Sequence, residues 1–582
     1  KGLAAVELLP AMIEKALHEL PTPKRMRWGT KRAEFVRPVH WLVMLYGTEV
    51  VECSLMGQRA GRVTRGHRFH SGDKWLEIAS PDAYQRLLRD HKVEVCFKLR
   101  REKIVAQVEQ CALECHGKAV IDRELLDEVT ALVEWPVALA GKFEARFLDV
   151  PQEALISSMS EHQKYFHVVD DQGGLLPCFI TVANIESQDP ARVIDGNERV
   201  IRPRLTDAAF FYQTDLKVNL AVRREQLKTI IFQSQLGTLY DKTERVASLA
   251  GKIAVMIGGN TAWAIRAGEL SKADLLSNMV QEFDSMQGIA GSYYATHDGE
   301  PQEVAQAIRE HYLPRFAGED VASSLTGCAV AIADRIDTLV GIFGIGQIPS
   351  GSKDPFALRR ASIGVLSTLL KAKLDIDLRA VIHIACEQYG KTLKESETGE
   401  TVLVYMLERL RAVCQDEGIA TETFNAVQAK GLSNPLDIYH RIQAVHHFTS
   451  LPEAESLAAA NKRVSNLLAK SQEAVIPERV DPSKLQELAE KDLALAITEK
   501  NRTVAPFLIT GDYQSALTSM ADLQVMIDAF FDGVMVMVDD SALRANRLAL
   551  LAQLRSLFMQ VADVAQLVPD RVDSVCQVLI SL

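Results

Sequence analysis

Helical periodicity dominates the chain from residue 218 onward and constrains the fold more than any other feature. Apolar residues recur at intervals of three and four through segments such as 239–258 and 402–414, and short polar breaks separate one segment from the next. Alternation typical of strands is almost missing from this part of the sequence. The pattern therefore predicts that residues 218–582 are almost entirely α-helical.

The first 217 residues show a mixed pattern instead. Helical spacing predicts helix over residues 82–117, whereas β-branched and aromatic residues predict strands over 35–46 and 49–56. Two further strands, at 167–170 and 176–183, flank an Asp-Gln-Gly-Gly turn that suits a hairpin. We therefore predict the α+β class, in a predominantly α-helical multidomain protein.

A length of 582 residues allows three to five domains, each large enough for its own core. Shifts in pattern, together with prolines at 477 and 482, suggest where the segments meet. We divide the chain into a mixed α/β domain (1–150), a β-hairpin and basic loop segment (151–217), a helical domain (218–371), a helical linker domain (372–476) and a C-terminal helical domain (477–582).

Local basic clusters stand out against a net charge of −11. The overall charge argues against indiscriminate binding of polyanions, but binding depends on local charge. Arginine and lysine side chains of this kind can hold RNA phosphates, and in 195–217 they alternate with aromatic residues, as in loops that face RNA. The alternative for each cluster is a solvated or internally paired surface. The candidate residues are Arg62, Arg65 and Arg68; Arg199, Arg202 and Arg204; and Lys353, Arg359 and Arg360.

Sequence features also predict the compartment. No apolar run approaches the ~18 to 20 residues needed to span a bilayer, and the first residues lack a signal-peptide pattern. The nine cysteines include no CxxC pair, which is typical of reduced thiols in a cytosol. We expect a cytoplasmic protein with no membrane partner.

The order of the helices after residue 218 resembles that of HD-type metal-dependent phosphohydrolases. Such a site needs a histidine, a His-Asp pair and a later aspartate around a divalent ion. The corresponding positions here are Lys272, Asp274, His311 and Asp334, but Lys272 and Ala273 precede Asp274, so the histidine of the His-Asp pair is missing. We therefore predict a degenerate HD-like domain with no metal and no catalytic residue, in which Asp334 caps or pairs within a helical core. The alternative is an HD-type metal-dependent phosphohydrolase that holds an ion at the three remaining positions.

A second possible site is the glycine-rich stretch before residue 360. Gly346 and Gly351 have the separation found in phosphate-binding P-loops, but Lys353 is followed by Asp354, which would repel a phosphate. No strand is predicted before this stretch, although a P-loop requires one. The sequence therefore argues against a nucleotide site here.

Six motifs in collinear order carry a resemblance to a known family. They are EHQKYF, FITVAN, GNERVIRPRLTDAAFFY, QEFDSMQGIAGSYYA, ADRIDTLVGIFGIG and GSKDPFALRR. On these strings the chain is identified as a member of the family of β subunits of bacterial heterotetrameric glycyl-tRNA synthetases. Residues 530–551, FFDGVMVMVDDSALRANRLALL, independently resemble the DALR type of anticodon-binding domain, with Ser541 where the name-giving aspartate would stand.

The resemblance implies a function for the whole chain. It implies an α2β2 enzyme that joins glycine to tRNA(Gly), in which the α subunit uses ATP and Mg²⁺ while this chain binds no cofactor and positions the tRNA, including its anticodon. It also implies that residues 1–150 are B3/B4-like and that 477–582 form the DALR-type domain. Within it, Arg544, Asn546 and Arg547 are the residues expected to face anticodon nucleotides, because Arg and Asn can bond to base edges. The alternative is an ordinary solvated helix surface.

Overall fold

A computed structural model describes residues 2–30, 32–351, 353–393, 395–471 and 476–568. The last part of the predicted C-terminal domain, residues 569–582, lies outside the described residues. The chain divides into two compact units, which we call unit 1 (residues 1–217 and 281–286) and unit 2 (residues 218–280 and 287–582).

Unit 1 combines six helices with thirteen short strands among its described residues. The helices are α1 (Ala5–Glu19), α2 (Tyr84–Asp90), α3 (Phe97–Glu114), α4 (Arg123–Leu132), α5 (Gln152–Ser157) and α6 (Pro190–Asp215). The strands are β1 (Met26–Arg27), β2 (Glu34–Phe35), β3 (Leu42–Val43), β4 (Leu45–Tyr46), β5 (Glu49–Val50), β6 (Ser54–Leu55), β7 (Gln58–Gly61), β8 (Val63–Arg65), β9 (Trp75–Glu77), β10 (Lys118–Ala119), β11 (Val137–Lys142), β12 (Phe166–Val169) and β13 (Leu175–Ala183). The α+β prediction for this part of the chain is confirmed.

The main core of unit 1 lies between an antiparallel sheet of order β10-β12-β13-β11 and helices α3 and α4. Ile104 and Val108 of α3 pack with Phe166 and Ile180 of the central strands. The predicted hairpin forms β12 and β13, and the Asp170 carboxylate holds its turn by accepting hydrogen bonds from backbone amides two and four residues further on. This hairpin was predictable because its signals are local.

The basic segment before residue 217 differs from the predicted loop. Residues 190–215 form one helix, α6, that begins with Pro190 in its first turn. Gly196 and Asn197 are typical of turns, but the buried face formed by Ile201, Leu205 and Ala208 holds them in the helix. The Asn197 side chain also accepts a hydrogen bond from the Tyr165 hydroxyl at 2.7 Å. Tertiary packing has overridden local turn propensity here.

The predicted N-terminal strands are also shorter than expected. Residues 35–46 and 49–56 yield only two-residue strands, from β2 to β6. None of the described residues between 2 and 50 is buried, and α1 buries no side chain. The β-branched and aromatic residues of this region therefore lie on small ribbons rather than on one continuous sheet.

Unit 2 is helical apart from one small hairpin, as predicted. Its described helices are α7 (Leu220–Gln226), α8 (Leu239–Met256), α9 (Thr261–Leu270), α10 (Asn278–Glu282, of which the last two residues belong to unit 1), α11 (Ile289–His297), α12 (Gln302–Glu310), α13 (Leu325–Gly344), α14 (Leu358–Lys371), α15 (Leu378–Gln388), α16 (Glu395–Asp416), α17 (Thr421–Gln428), α18 (Pro435–Phe448), α19 (Ala454–Lys470), α20 (Leu488–Thr510), α21 (Tyr513–Ala521), α22 (Gln524–Gly533) and α23 (Ser541–Met559). The hairpin joins β14 (Ile231–Gln233) to β15 (Gly237–Thr238). Within the described ranges, no helix is both long and apolar enough to cross a bilayer.

Helix α13 lies at the centre of the first half of unit 2. It is apolar around most of its circumference, which is typical of a buried helix, and it packs against α8, α9, α12, α14, α15 and α16. Gly341 and Gly344 permit this packing, since a Cβ there would lie 2.4 Å from the Tyr389 hydroxyl and 2.2 Å from Leu393 Cδ2. Gly268 of α9 plays the same part against α8, where a Cβ would meet the backbone of Ala247 at 2.6 Å. These close contacts fix the helices that carry the site below.

Candidate functional site

Three of the four degenerate HD positions meet in the interior of unit 2. Lys272 follows the end of α9, His311 follows α12, and Asp334 lies on α13. The Lys272 ammonium is 2.9 Å from Asp334 Oδ2 and 2.9 Å from His311 Nε2. Asp274, the fourth position, points elsewhere: its Oδ2 accepts hydrogen bonds from the amides of Gly288 (2.6 Å) and Gly291 (3.1 Å).

A second lysine completes this arrangement. The ammonium of Lys242, from α8, lies 2.9 Å from Asp334 Oδ1, 3.1 Å from Asp337 Oδ2 and 2.8 Å from the Thr338 hydroxyl. Lys242 is not among the predicted site residues, although it stands four residues before Val246 on the buried face of α8, where a lysine needs a carboxylate partner. We call Lys242, Lys272, His311 and Asp334 the lysine cluster.

The charges of the lysine cluster follow from its burial. Burial opposes ionisation of Asp334, but the ammonium groups of Lys242 and Lys272 outweigh it and hold the pKa of this carboxyl well below its ordinary value. Burial likewise opposes the charge of Lys242, yet Asp334 and Asp337 raise the pKa of its amine. Burial lowers the pKa of Lys272, whose ammonium contacts one carboxylate, that of Asp334, among the described residues. The ionised carboxylate of Asp334 is therefore shared by the ammonium groups of two lysines.

His311 is the neutral member of the cluster. Its Nδ1–H donates to the Ile308 carbonyl at 2.7 Å, so its Nε2 carries the lone pair that accepts from Lys272. Burial and the adjacent Lys272 ammonium lower the pKa of this imidazole well below its usual range. Tyr312 packs on the same ring, with centroids 3.8 Å apart, and receives the Lys272 ammonium over its own ring at 4.1 Å.

The ammonium group of Lys272 lies between His311 and Asp334, two of the positions predicted to be degenerate HD positions. Lys272 bridges the imidazole nitrogen and the carboxylate oxygen, which are the atoms that a divalent cation would need. Across the described ranges, no group of three or more His, Cys, Asp or Glu side chains is arranged to hold a metal ion. The prediction that Asp334 pairs within a helical core is confirmed. The ion pairs of the cluster join α8 and the segment after α9 to α13.

The arginines of unit 1 are mostly engaged by neighbouring groups. Arg62 donates to the Thr48 carbonyl, and Arg65 pairs with Asp73 at 2.8 Å while covering the Trp75 ring. On α6, Arg199 pairs with Asp195 (2.8 Å), Arg202 with Glu144 (2.7 Å) and Arg204 with Glu282 (3.7 Å). Arg68 differs, because it is exposed and no described residue pairs with its side chain.

The glycine-rich stretch before α14 is a helix cap. Asp354, which argues against a P-loop in the sequence, accepts hydrogen bonds from the amides of Leu358 (2.9 Å) and Arg359 (3.0 Å) and so caps α14. Arg359 also donates to the Gly351 carbonyl. Lys353 and Arg360 remain exposed, with no side-chain partner among the described residues.

The predicted anticodon residues on α23 are largely internal. Asn546 is 2 % exposed and exchanges hydrogen bonds with the backbone of Asp481 at 2.7 and 3.1 Å. Arg547 is 4 % exposed; it pairs with the buried Glu490 and donates to the Met535 carbonyl at 2.8 Å. The prediction that these two residues face RNA was wrong, because both side chains are buried where α23 packs against other helices, α19 and α20 among them. Arg544 donates to the Val538 carbonyl at 2.9 Å and is partly exposed.

Comparison with known families decides which family this fold represents. A family model described as glycyl-tRNA synthetase beta subunit matches residues 1–429, and one described as DALR anticodon binding domain matches residues 457–565. The chain belongs to the glycyl-tRNA synthetase beta subunit family. The family resemblance seen in the sequence is thereby confirmed, and residues 218–371, the segment predicted to be HD-like, lie inside the first match.

Relatives from several bacteria agree over nearly the whole chain. The glycine–tRNA ligase beta subunit of Marinobacter nauticus is 56 % identical over 569 residues, which is 97 % of this chain and 82 % of the relative. Those of Chromohalobacter salexigens and Pseudomonas aeruginosa are 55 % and 54 % identical over 566 residues, with the same coverage of 97 % and 82 %. The similarity thus includes both units.

Removal of metal ions is expected to leave this family member unchanged. The Lys272 ammonium already fills the space between His311 and Asp334, so a chelator has no structural ion to remove there. We expect the thermal unfolding midpoint to be the same with and without EDTA, and titration with Mn²⁺ or Zn²⁺ to show no stoichiometric binding by calorimetry. A tightly bound divalent ion that requires Asp274, His311 and Asp334 would contradict this and would favour an HD-type phosphohydrolase.

Proposed function

We propose that this chain is the tRNA-binding subunit of a glycine–tRNA ligase, which joins glycine to tRNA(Gly) together with an α subunit. The observation that carries the proposal is family membership over 97 % of the chain at 52 to 56 % identity to proteins named glycine–tRNA ligase beta subunit. The DALR match over residues 457–565 supports a role of the C-terminal part in binding the anticodon.

In this proposal the α subunit carries out adenylation and uses ATP and Mg²⁺, in an α2β2 assembly in the cytoplasm. Two features of this chain support that division of labour. The lysine cluster holds ammonium groups where an HD-type centre needs a cation, and the glycine-rich stretch at 346–354 caps a helix through Asp354. Neither the lysine cluster nor the glycine-rich stretch resembles a working nucleotide site, because the charged side chains of both contact other groups of the protein.

Three exposed cations support RNA binding outside the C-terminal part. Arg68, Lys353 and Arg360 have no carboxylate partner among the described residues, so they can neutralise phosphates without breaking an ion pair. Arg199 and Arg202, by contrast, would have to give up Asp195 and Glu144 first. The first three are therefore the better candidates for contacts with the tRNA backbone.

Aminoacylation with separated subunits tests this function. We expect no glycine charging by this chain alone, pyrophosphate exchange by the α subunit alone, and charging of tRNA(Gly) when the two are mixed. Charging by this chain alone would refute the division of labour. In tRNA-binding titrations across salt concentrations, Arg68→Ala, Lys353→Ala and Arg360→Ala should each reduce the salt slope by about one. The paired Arg199→Ala serves as the control and should leave the slope nearer that of the parent.

A further inference from the structure

Helix α19 presents an exposed polar face within the DALR match. Arg463, Asn466 and Lys470 are all exposed and follow one another at intervals of three and four residues, so they lie on one side of the helix. The opposite side buries Leu457, Asn461 and Val464, among other residues. This helix is not among the predicted sites because its length and periodicity are ordinary, although the polar stripe can be read in the sequence NKRVSNLLAK.

The polar stripe borders a groove of about 380 Å³, within the ~300–1,000 Å³ typical of ligand sites. Lys462 and Val568 form part of its lining, and the Lys462 ammonium donates to the Val568 carbonyl at 2.9 Å. The guanidinium of Arg463 lies 4.3 Å from the ring centroid of Phe531, on α22. Arg463, which lines the groove, therefore lies beside an aromatic ring of the neighbouring helix.

Arg463, Asn466 and Lys470 have no hydrogen-bond or ion-pair partner among the described residues, apart from the ring contact of Arg463. Two exposed carboxylates are present on the neighbouring α22, at Asp528 and Asp532. Asp528 accepts from the Ser456 hydroxyl at 3.2 Å, and neither carboxylate forms an ion pair with the α19 cations. The polar groups of these three side chains are therefore available to bind a partner.

We propose that this face of α19, with Phe531, binds the unpaired nucleotides of a tRNA anticodon loop. The proposal rests on the proposed function, and it replaces α23 as the reading surface of the C-terminal domain. A splayed RNA base can stack on an arginine plane or an aromatic ring, an asparagine amide can bond to its edge, and a lysine can hold the adjacent phosphate. Arg463 with Phe531 supplies the stacking surface, Asn466 the amide and Lys470 the ammonium, in this order along the helix.

The chemistry of the face favours RNA over a protein partner. Protein interfaces are centred on desolvated aromatic or aliphatic anchors, with lysine depleted. Here the exposed stripe consists of a guanidinium, an amide and an ammonium, and Phe531 is only partly exposed beside Arg463. Positive charge without carboxylate partners is complementary to a phosphate backbone.

Binding of a short RNA tests the proposal. The complex of this chain with its α subunit is titrated, by fluorescence anisotropy, with an anticodon stem-loop of tRNA(Gly) and with the same stem-loop carrying a permuted anticodon. We expect Arg463→Ala and Lys470→Ala to weaken binding of the cognate loop about tenfold, and Asn466→Ala to reduce the preference for the cognate loop. Arg502→Ala, an exposed arginine of α20 with no described partner, is the matched control and should bind as the parent does.

The outcomes separate this site from the proposed function. If the parent binds full-length tRNA(Gly) and all three α19 variants bind the stem-loop like the Arg502→Ala control, the site is wrong and the proposed function stands. If the parent complex binds no tRNA at all, the proposed function itself fails. If the α19 variants keep full RNA binding but lose the α subunit on gel filtration, the face binds protein, which also refutes the site. Circular dichroism of each variant confirms that the exposed substitutions leave the helices intact.

Discussion

Asp334→Asn is expected to lower the free energy of unfolding of the helical unit by about 3–5 kcal/mol. Asp334 contacts both ammonium groups of the lysine cluster, at 2.9 Å each. Lys242 keeps a second carboxylate, Asp337, but Lys272 loses the one carboxylate that it contacts in the described part of the chain. An uncompensated ammonium in the protein interior costs far more than the pair itself contributes, because its lost hydration is no longer offset.

Urea unfolding followed by circular dichroism at 222 nm measures this effect, since unit 2 holds most of the helix. Asp320→Asn is the control, because Asp320 is exposed and no described residue pairs with its side chain; it should change stability by no more than about 0.5 kcal/mol. The double variant Lys272→Met, Asp334→Asn removes the stranded charge and should recover most of the loss. Equal stability of the Asp334→Asn and Asp320→Asn variants would show that the cluster contributes nothing.

The same pair predicts a pH dependence with a definite sign. The pKa of Asp334 is well below its ordinary value, with burial opposing the ionised form and the two lysines outweighing it. Its contribution to stability is therefore complete above the unfolded pKa of about 3.9 and is lost as the pH falls toward the folded pKa. The difference in stability between the parent and Asp334→Asn should accordingly be constant near neutral pH and shrink below about pH 4.

Local signals account for what the sequence could predict. The apolar circumference of α13, the turn between β12 and β13, and the missing histidine before Asp274 are all visible within a few residues of the chain. The partner of a polar side chain is not local. The Asn546 side chain accepts a hydrogen bond from the backbone amide of Asp481, 65 positions away. The Lys242 ammonium contacts Asp334, 92 positions away. A buried and an exposed arginine therefore look alike in the sequence until the packing of distant helices is known.

Helix α6 also shows that local sequence signals alone do not determine the structure. Gly196, Asn197 and Pro203 each favour a turn or a break, yet all three lie within one helix of 26 residues. The helix is favoured because Ile201 and Leu205 are fully buried in unit 1. Propensity is a weak guide wherever a buried apolar face contributes more free energy than the local conformational cost.

Arg547→Met is the second substitution with a large expected effect. The Glu490 carboxylate is fully buried and pairs with Arg547, while its other oxygen accepts from the amides of Gln486 (2.7 Å) and Glu487 (2.9 Å). Removing the guanidinium leaves a buried negative charge with backbone donors alone, and the Met535 carbonyl loses its donor as well. We expect a loss of about 3–5 kcal/mol in the free energy of unfolding, measured by urea denaturation.

The Arg547→Met experiment also decides between a structural residue and an RNA contact. The double variant Glu490→Gln, Arg547→Met removes both charges, so its stability should lie closer to that of the parent, and Arg502→Ala should match the parent throughout. A buried arginine cannot touch a nucleotide, so the folded fraction of Arg547→Met, at low temperature, should bind the anticodon stem-loop with the affinity of the parent complex. Unchanged stability with selective loss of cognate binding would reverse that assignment. In that case Arg547 would contact RNA rather than stabilise the fold. The anticodon surface would then lie on α23 instead of α19.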